Sequence, residues 1–218
     1  PMALALGEGH LLEIVSEKLS KYLNKADVQM FLDDLRDALY ADVDNGDLKT
    51  LHSRANNCKK CPALTTKAVL PQWNLTDPDL YLLTDSPGQS KEALNLLLET
   101  LKSIGWTSRR IAMSYVNRCP VMGRKYSIDE VNNCVPYLHT EIQLLKPKLI
   151  VPMGLIPSTV FLGTDINLSQ ERGKIRWIGP WALLPTYSPQ HVIRGGGQLK
   201  LNFESDLTNA FEFLYGER

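Results

Sequence analysis

The spacing of apolar positions changes near residue 79. Before it, Leu11, Leu12, Val15, Leu19, Tyr22 and Leu23 recur at helical spacing over 8–24, and Val28, Phe31, Leu32, Leu35 and Leu39 form a second stripe. Asp44-Asn45-Gly46 interrupts the pattern, and a third short helix is predicted to lead into Cys58. Beyond residue 79, four short apolar segments stand apart: Leu80–Thr84, Ile111–Val116, Lys148–Gly154 and Trp181–Tyr187. Helical patterns at Lys91–Ile104 and Ile128–Leu145 fill two of the gaps. The third gap holds a short helix at Ile156–Phe161 and then Lys174–Ile178, which suits a hairpin strand beside 181–187. Phe203, Leu207, Phe211 and Leu214 mark a closing helix over 202–215, and Gly195-Gly196-Gly197 reads as a flexible loop. Strands alternating with helices predict an α/β fold, a three-layer α/β/α sandwich around a central four-stranded parallel sheet. We place an N-terminal helical extension at 1–50 and the main domain at 51–218. The extension either covers the core or docks a protein partner.

In open α/β sheets, ligands bind beyond the carboxyl ends of the strands. Those ends are followed here by 85–92, 117–125, 154–158 and 188–197, segments rich in Pro, Gly, Ser and basic residues. The 218 residues are 44% hydrophobic and 22% charged, which excludes disorder and collagen-like structure. No apolar run approaches the roughly 18 residues of a membrane span, and the first residues lack a signal-peptide pattern. A soluble, cytoplasmic monomer is expected. With 24 basic and 24 acidic side chains the net charge is zero, so any nucleic-acid face must be a local patch.

Four cysteines in such a chain point to metal or redox chemistry more than to disulfides. Cys58 and Cys61 form C-x2-C, whereas Cys119 and Cys134 have 14 residues between them. A four-cysteine zinc site usually has two tight knuckles. An iron–sulfur cluster tolerates wider spacing, and four unrelated buried thiols are equally compatible with the spacing alone.

The motifs taken in order are more specific than any one of them. Cys58–Cys61 is followed by T-D-S-P-G at 84–88, R-C-P-V-M-G-R-K at 118–125 and E-V-N-N-C at 130–134. Then come P-K-L-I-V-P-M-G at 147–154, R-G at 172–173 and T-Y-S-P-Q-H-V-I-R at 186–194. From about Leu51 to the C-terminus this order resembles the family 4 uracil-DNA glycosylases, the iron–sulfur branch of the uracil-DNA glycosylase superfamily. The resemblance implies that Cys58, Cys61, Cys119 and Cys134 hold a [4Fe–4S] cluster that braces DNA-contacting loops. It also implies an enzyme that everts a nucleotide from DNA, holds the base in a pocket and breaks the glycosidic bond.

The chain departs from that pattern at the site itself. The family's first-motif Glu aligns with Asp85, its edge-reading Asn with Tyr115, and the His of T-Y-H-P with Ser188. The stretch carrying the Phe that stacks on uracil is absent after Gly88. Either the pocket is opened for a larger base or the fold only binds DNA. The retained carboxylate and the retained 189–194 segment favour the first. On this reading Asp85 is catalytic and His191 takes over cation stabilisation. Ser86, Pro87, Gly88, Tyr115, Asn117 and Ser188 meet the base, with Asn117 able to replace the lost amide if the strand continues. Pro189, Val192 and Ile193 form an apolar wedge. Arg118, Arg124, Lys125 and Arg194 contact phosphates, with Arg172 and Lys174 nearby.

Overall fold

Every residue of β1 (Leu80–Thr84) is buried, as expected of a strand covered by helices on both faces. The structure is a computed structural model that describes residues 47–61, 68–69, 78–106, 110–121, 123–163 and 165–216. The stripes at 8–24 and 28–39, and the partner surface assigned to them, lie outside the described residues. β1 pairs in parallel with β2 (Ile111–Tyr115) on one side and β3 (Leu149–Pro152) on the other. β5 (Trp181–Leu183) extends the parallel sheet from β3. β4 (Arg176–Ile178) adds an antiparallel edge, giving the order β2-β1-β3-β5-β4. The four parallel strands are those expected, and the anticipated hairpin strand makes a fifth at the edge. The Gly179-Pro180 turn joins the last two as a hairpin, which a parallel pair could not use.

The two-residue period of the strands divides the core. Tyr81, Leu83, Ile150 and Leu183 face one way, against Leu138, Ile142 and Leu145 of α3 (Ile128–Leu145) and Phe161 of α4 (Leu155–Leu162). Leu80, Leu82, Val151 and Ala182 face the other way. There they meet Leu97 and Leu101 of α2 (Lys91–Ile104), Val192 of α6 (Pro189–Gly195), and Phe203 and Leu207 of α7 (Gly197–Tyr215). These are the expected three layers. α1 (Leu48–Asn56) leads into Cys58 as anticipated, with Leu48 against the first core. The short α5 (Leu168–Glu171) and α6 were not foreseen.

The predicted glycine loop is instead a sharp helix-to-helix corner. Gly195 ends α6 and Gly197 begins α7, with φ of +54° at Gly196 and +42° at Gly197. That left-handed pair is open to glycine and strained for other residues.

Beneath the first core lies a buried charged group. Glu141 of α3 is fully enclosed and accepts from Tyr81 Oη at 2.5 Å and from Arg118 Nη2 at 2.6 Å. His52 Nε2 of α1 lies 3.4 Å away. Burial pushes the Glu141 carboxyl up, but the Arg118 charge and the surrounding donors outweigh it and bring it down to about 2. Removing one partner of such a pair strands the other charge in a dry interior. Glu141→Ala is therefore expected to cost about 3–5 kcal/mol in urea unfolding, and Glu141→Met combined with Arg118→Met should recover most of it.

Candidate active site and cysteine cavity

The chain leaves β1 towards α2 on one face of the sheet and leaves β3 towards α4 on the other. The loops beyond these neighbouring strands diverge and open a crevice, the switch-point position where α/β sheets bind ligands. Asp85 stands at the β1 side and Gly154 at the β3 side. A cavity of about 800 Å³ opens there, lined by Asp85, Ser86, Gln89, Gly154, Asn167, Ser169, Tyr187, Ser188, Gln190, His191 and Arg194 among others.

Gly154 explains how close the walls come. Its φ is +111°, and a Cβ there would lie 3.2 Å from both Asp85 Oδ1 and Ser188 Cβ. Its N–H donates to the Thr186 carbonyl at 2.8 Å, tying the β3 loop to the Ser188 loop. Asp85 Oδ1 is buried with no hydrogen-bond partner. Burial raises the Asp85 carboxyl to about 6. A carboxylate poised this way is poorly solvated, so it interacts strongly with a developing positive charge.

Ser188 caps α6, its hydroxyl accepting from His191 N–H at 3.2 Å. The exposed His191 ring leans on Tyr187, centroids 5.5 Å apart. Tyr187 is backed by Arg172, whose guanidinium lies 5.7 Å from the ring centroid. Arg172 is itself held by Asp206 of α7 and the Asn202 carbonyl, and Thr186 Oγ1 donates to Asp206 at 2.6 Å. Any side chain at Gly173, φ +71°, would strike Asp206, which accounts for Arg172-Gly173 as a unit. Arg172 therefore braces the pocket wall from inside rather than facing DNA.

Several expected placements are corrected. Arg118 is 2% exposed and committed to Glu141, so it presents no guanidinium to a phosphate. Val192 is 1% exposed and packs in the core. A helix, not a loop, runs through 189–195, so Pro189 and Val192 turn inward together while Ile193 and Arg194 turn out. Asn117 does not join the crevice. β2 stops at Tyr115 and the chain turns, with Asn117 N–H donating to the Asp85 carbonyl, so its side chain lines the cysteine cavity instead. Tyr115 is half-buried one strand away, opposite Thr84. Pro87 and Gly88 form the turn between Ser86 and Gln89, Gly88 at φ +92°. Arg124 makes two bonds to Glu130, at 2.8 and 2.6 Å, and Lys125 is exposed beside it. Gln89, Gln190, Asn167 and Ser169 carried no sequence signal, because polar loop residues are common and only the fold assembles them.

The four cysteines line one small cavity between α1, the 117–126 loop and α3, and none is in a disulfide. Among the described residues, no three His, Cys, Asp or Glu side chains converge on a single ion position. Four thiols on one cavity are a donor set that fits an iron–sulfur cluster or a zinc ion. Asn133 Nδ2 lies 3.5 Å from Cys61 Sγ, and burial raises the Cys134 thiol to about 11. Asn117 and Arg118 also line this cavity, and Arg118 Nε and Nη1 and both amide atoms of Asn117 are buried without partners. Such orphaned polar atoms fit an anionic group. Tyr126 joins the cavity to the crevice. Its hydroxyl donates to the Cys119 carbonyl at 2.8 Å and meets the Ser86 hydroxyl.

Residues 79–212 match the family model described as the uracil DNA glycosylase superfamily. The chain belongs to that superfamily and is a DNA glycosylase. A type-4 uracil-DNA glycosylase of Pyrobaculum aerophilum is 28% identical over 184 residues, covering 76% of this chain and 93% of its own. The type-4 uracil-DNA glycosylase of Archaeoglobus fulgidus is 25% identical over 169 residues, covering 69% and 84%. Among the described residues no helix is long and apolar enough to cross a membrane.

Two outcomes follow from the crevice. Gly154→Ala should lower single-turnover base release about 10- to 100-fold by separating Asp85 from Ser188, and should also lower the thermal transition, because φ +111° is strained for any residue with a Cβ. If Asp85 acts on the growing positive charge, its carboxylate is the working form and its acid the inert one. Base release should therefore be flat above about pH 7 and fall as pH drops through about 6, approaching tenfold per unit. A profile flat down to pH 5 would remove Asp85 from the chemistry.

Proposed function

We propose that this DNA glycosylase excises a pyrimidine carrying a bulky substituent, such as glucosylated hydroxymethylcytosine, in preference to plain uracil. The observation that carries the reading is the crevice beside Asp85. At about 800 Å³ it lies near the top of the roughly 300–1,000 Å³ range of small-molecule pockets, far more than a lone pyrimidine ring fills. Its lining also includes Asn167, Ser169, Gln190 and Arg194, groups able to hydrogen-bond a hydroxyl-rich substituent. Removal of such bases would suit a defence against phage DNA that carries them.

In the proposed reaction a nucleotide is everted into the crevice. The exposed Ile193 fills the vacated stack, and Arg194 and Lys125 hold flanking phosphates. As the glycosidic bond lengthens, its electron pair leaves with the base and positive charge grows on the sugar. The Asp85 carboxylate stabilises that charge and orients the water that attacks the anomeric carbon. That water loses a proton, and the departing base gains one. His191, at the rim, contributes to positioning.

We further propose that Cys58, Cys61, Cys119 and Cys134 hold a [4Fe–4S] cluster. When bound it supplies a rigid structural junction, not redox chemistry on the base. The chain's own link from that junction to the pocket is Tyr126, between the Cys119 carbonyl and Ser86.

Duplexes containing uracil, hydroxymethylcytosine or glucosylated hydroxymethylcytosine, incubated with the protein and assayed for abasic sites, test the substrate. Release should be fastest from the glucosylated duplex. Asp85→Asn should slow it by at least about 10²-fold while leaving DNA binding intact. Release from uracil alone would reject the enlarged-base reading, and DNA binding without release from any duplex would reject catalysis.

A further inference from the structure

Arg118 is the largest fully buried side chain of the described residues, and two of its three side-chain nitrogens have no hydrogen-bond partner. One nitrogen, Nη2, reaches Glu141. The other two, Nε and Nη1, are buried without partners, and Arg118 is among the residues lining the cavity of the four cysteines, where its charge acts on the Cys119 and Cys134 thiols. A guanidinium is always charged and presents its donors in a fixed plane. Once Glu141 fixes one edge, the remaining edge is aimed by geometry. Asn117, 1% exposed, stands beside it with both amide atoms unpaired in the same cavity. Two neighbouring polar side chains left unsatisfied in a dry interior would be costly unless something in the cavity accepts their hydrogens.

We infer that Arg118, oriented by Glu141, and Asn117 form an outer hydrogen-bonding shell for an anionic iron–sulfur cluster, setting its reduction potential and its hold on iron. The inference rests on the cluster reading given under the proposed function. A four-thiolate cluster carries net negative charge, and each added electron increases it. A cation and an amide N–H facing the sulfurs stabilise the reduced form more than the oxidised one and so raise the potential. Glu141 lies behind the guanidinium, so the Arg118–Glu141 pair acts as a dipole with its positive end towards the cluster. Asn133 extends the shell to Cys61. None of these side chains lines the crevice beside Asp85, so the shell acts on the cluster and not on the base.

The test uses the full chain reconstituted anaerobically with iron and sulfide. Four proteins are compared: the parent, Asn117→Leu, Arg118→Lys, and Arg118→Met paired with Glu141→Met so that no charge is stranded. Iron content, dithionite-titrated midpoint potential by electron paramagnetic resonance, and the rate of iron loss to a chelator are read, with folding checked by circular dichroism. The parent should hold about four irons. The paired Met variant and Asn117→Leu should shift the midpoint to more negative values and lose iron several-fold faster. Arg118→Lys should restore much of the potential but less of the iron retention, since a point charge replaces a planar donor set. Potentials and iron-loss rates matching the parent in folded, cluster-bearing variants would overturn this inference while leaving the cluster intact. A parent that takes up no iron, or holds zinc instead, would overturn the cluster reading and this inference with it.

Discussion

The carboxylate of Glu141 is the point on which the site's supporting structure depends. It is buried on α3 and gathers Tyr81 from β1, Arg118 from the loop after β2 and His52 from α1. A lone buried carboxylate is strongly disfavoured, and only a full set of donors makes it tolerable. The segments that supply those donors are therefore fixed relative to one another. Two of them carry cysteines: α1 runs into Cys58, and Arg118 precedes Cys119. The same charge cluster thus sets the floor of the core and the spacing of the cysteine-bearing segments.

From that base the geometry passes upward through a few specific bonds. Tyr126 links the Cys119 carbonyl to Ser86, and Asn117 N–H holds the Asp85 carbonyl. On the opposite wall Asp206 restrains Thr186 and Arg172, and Arg172 supports Tyr187. The two walls meet at Gly154, where the absence of a side chain lets Asp85 and Ser188 approach. Each wall is thus anchored to a different helical layer, and the crevice between them is held open from both sides of the sheet. A rigid opening of this sort suits a nucleotide that must be captured from outside, because little ordering remains to be done on binding.

Much of this was legible in the residue pattern. The bounds of β1, α2 and α3 follow from runs of apolar residues and from clear caps, Ser90 for α2 and the Ser127–Glu130 box for α3. Asp85 and Ser188, which line the crevice, and the four cysteines, which line their own cavity, were singled out by motif order. The failures share a cause. Val192 was taken for a wedge because 189–194 was read as a loop, and one turn of helix reverses which side chains face DNA. Asn117 was expected on the pocket side because a strand was extended two residues too far. Arg118 looked like a phosphate contact because an arginine in a basic loop is usually solvated, and its partner Glu141 is 23 positions away.

What the sequence determined by itself was the set of layers, the order of the strands along the chain and the inventory of reactive side chains. These depend on local periodicity and on chemistry carried by single residues. Only the tertiary structure decided which of those side chains share a cavity. Asp85, Gly154 and Ser188 converge because connections from adjacent strands leave on opposite faces, and Arg118 turns inward because the buried Glu141 charge has to be neutralised, which leaves Asn117 and Arg118 on the lining of the cysteine cavity. Both are long-range constraints, satisfied across tens of residues, and no local pattern encodes them.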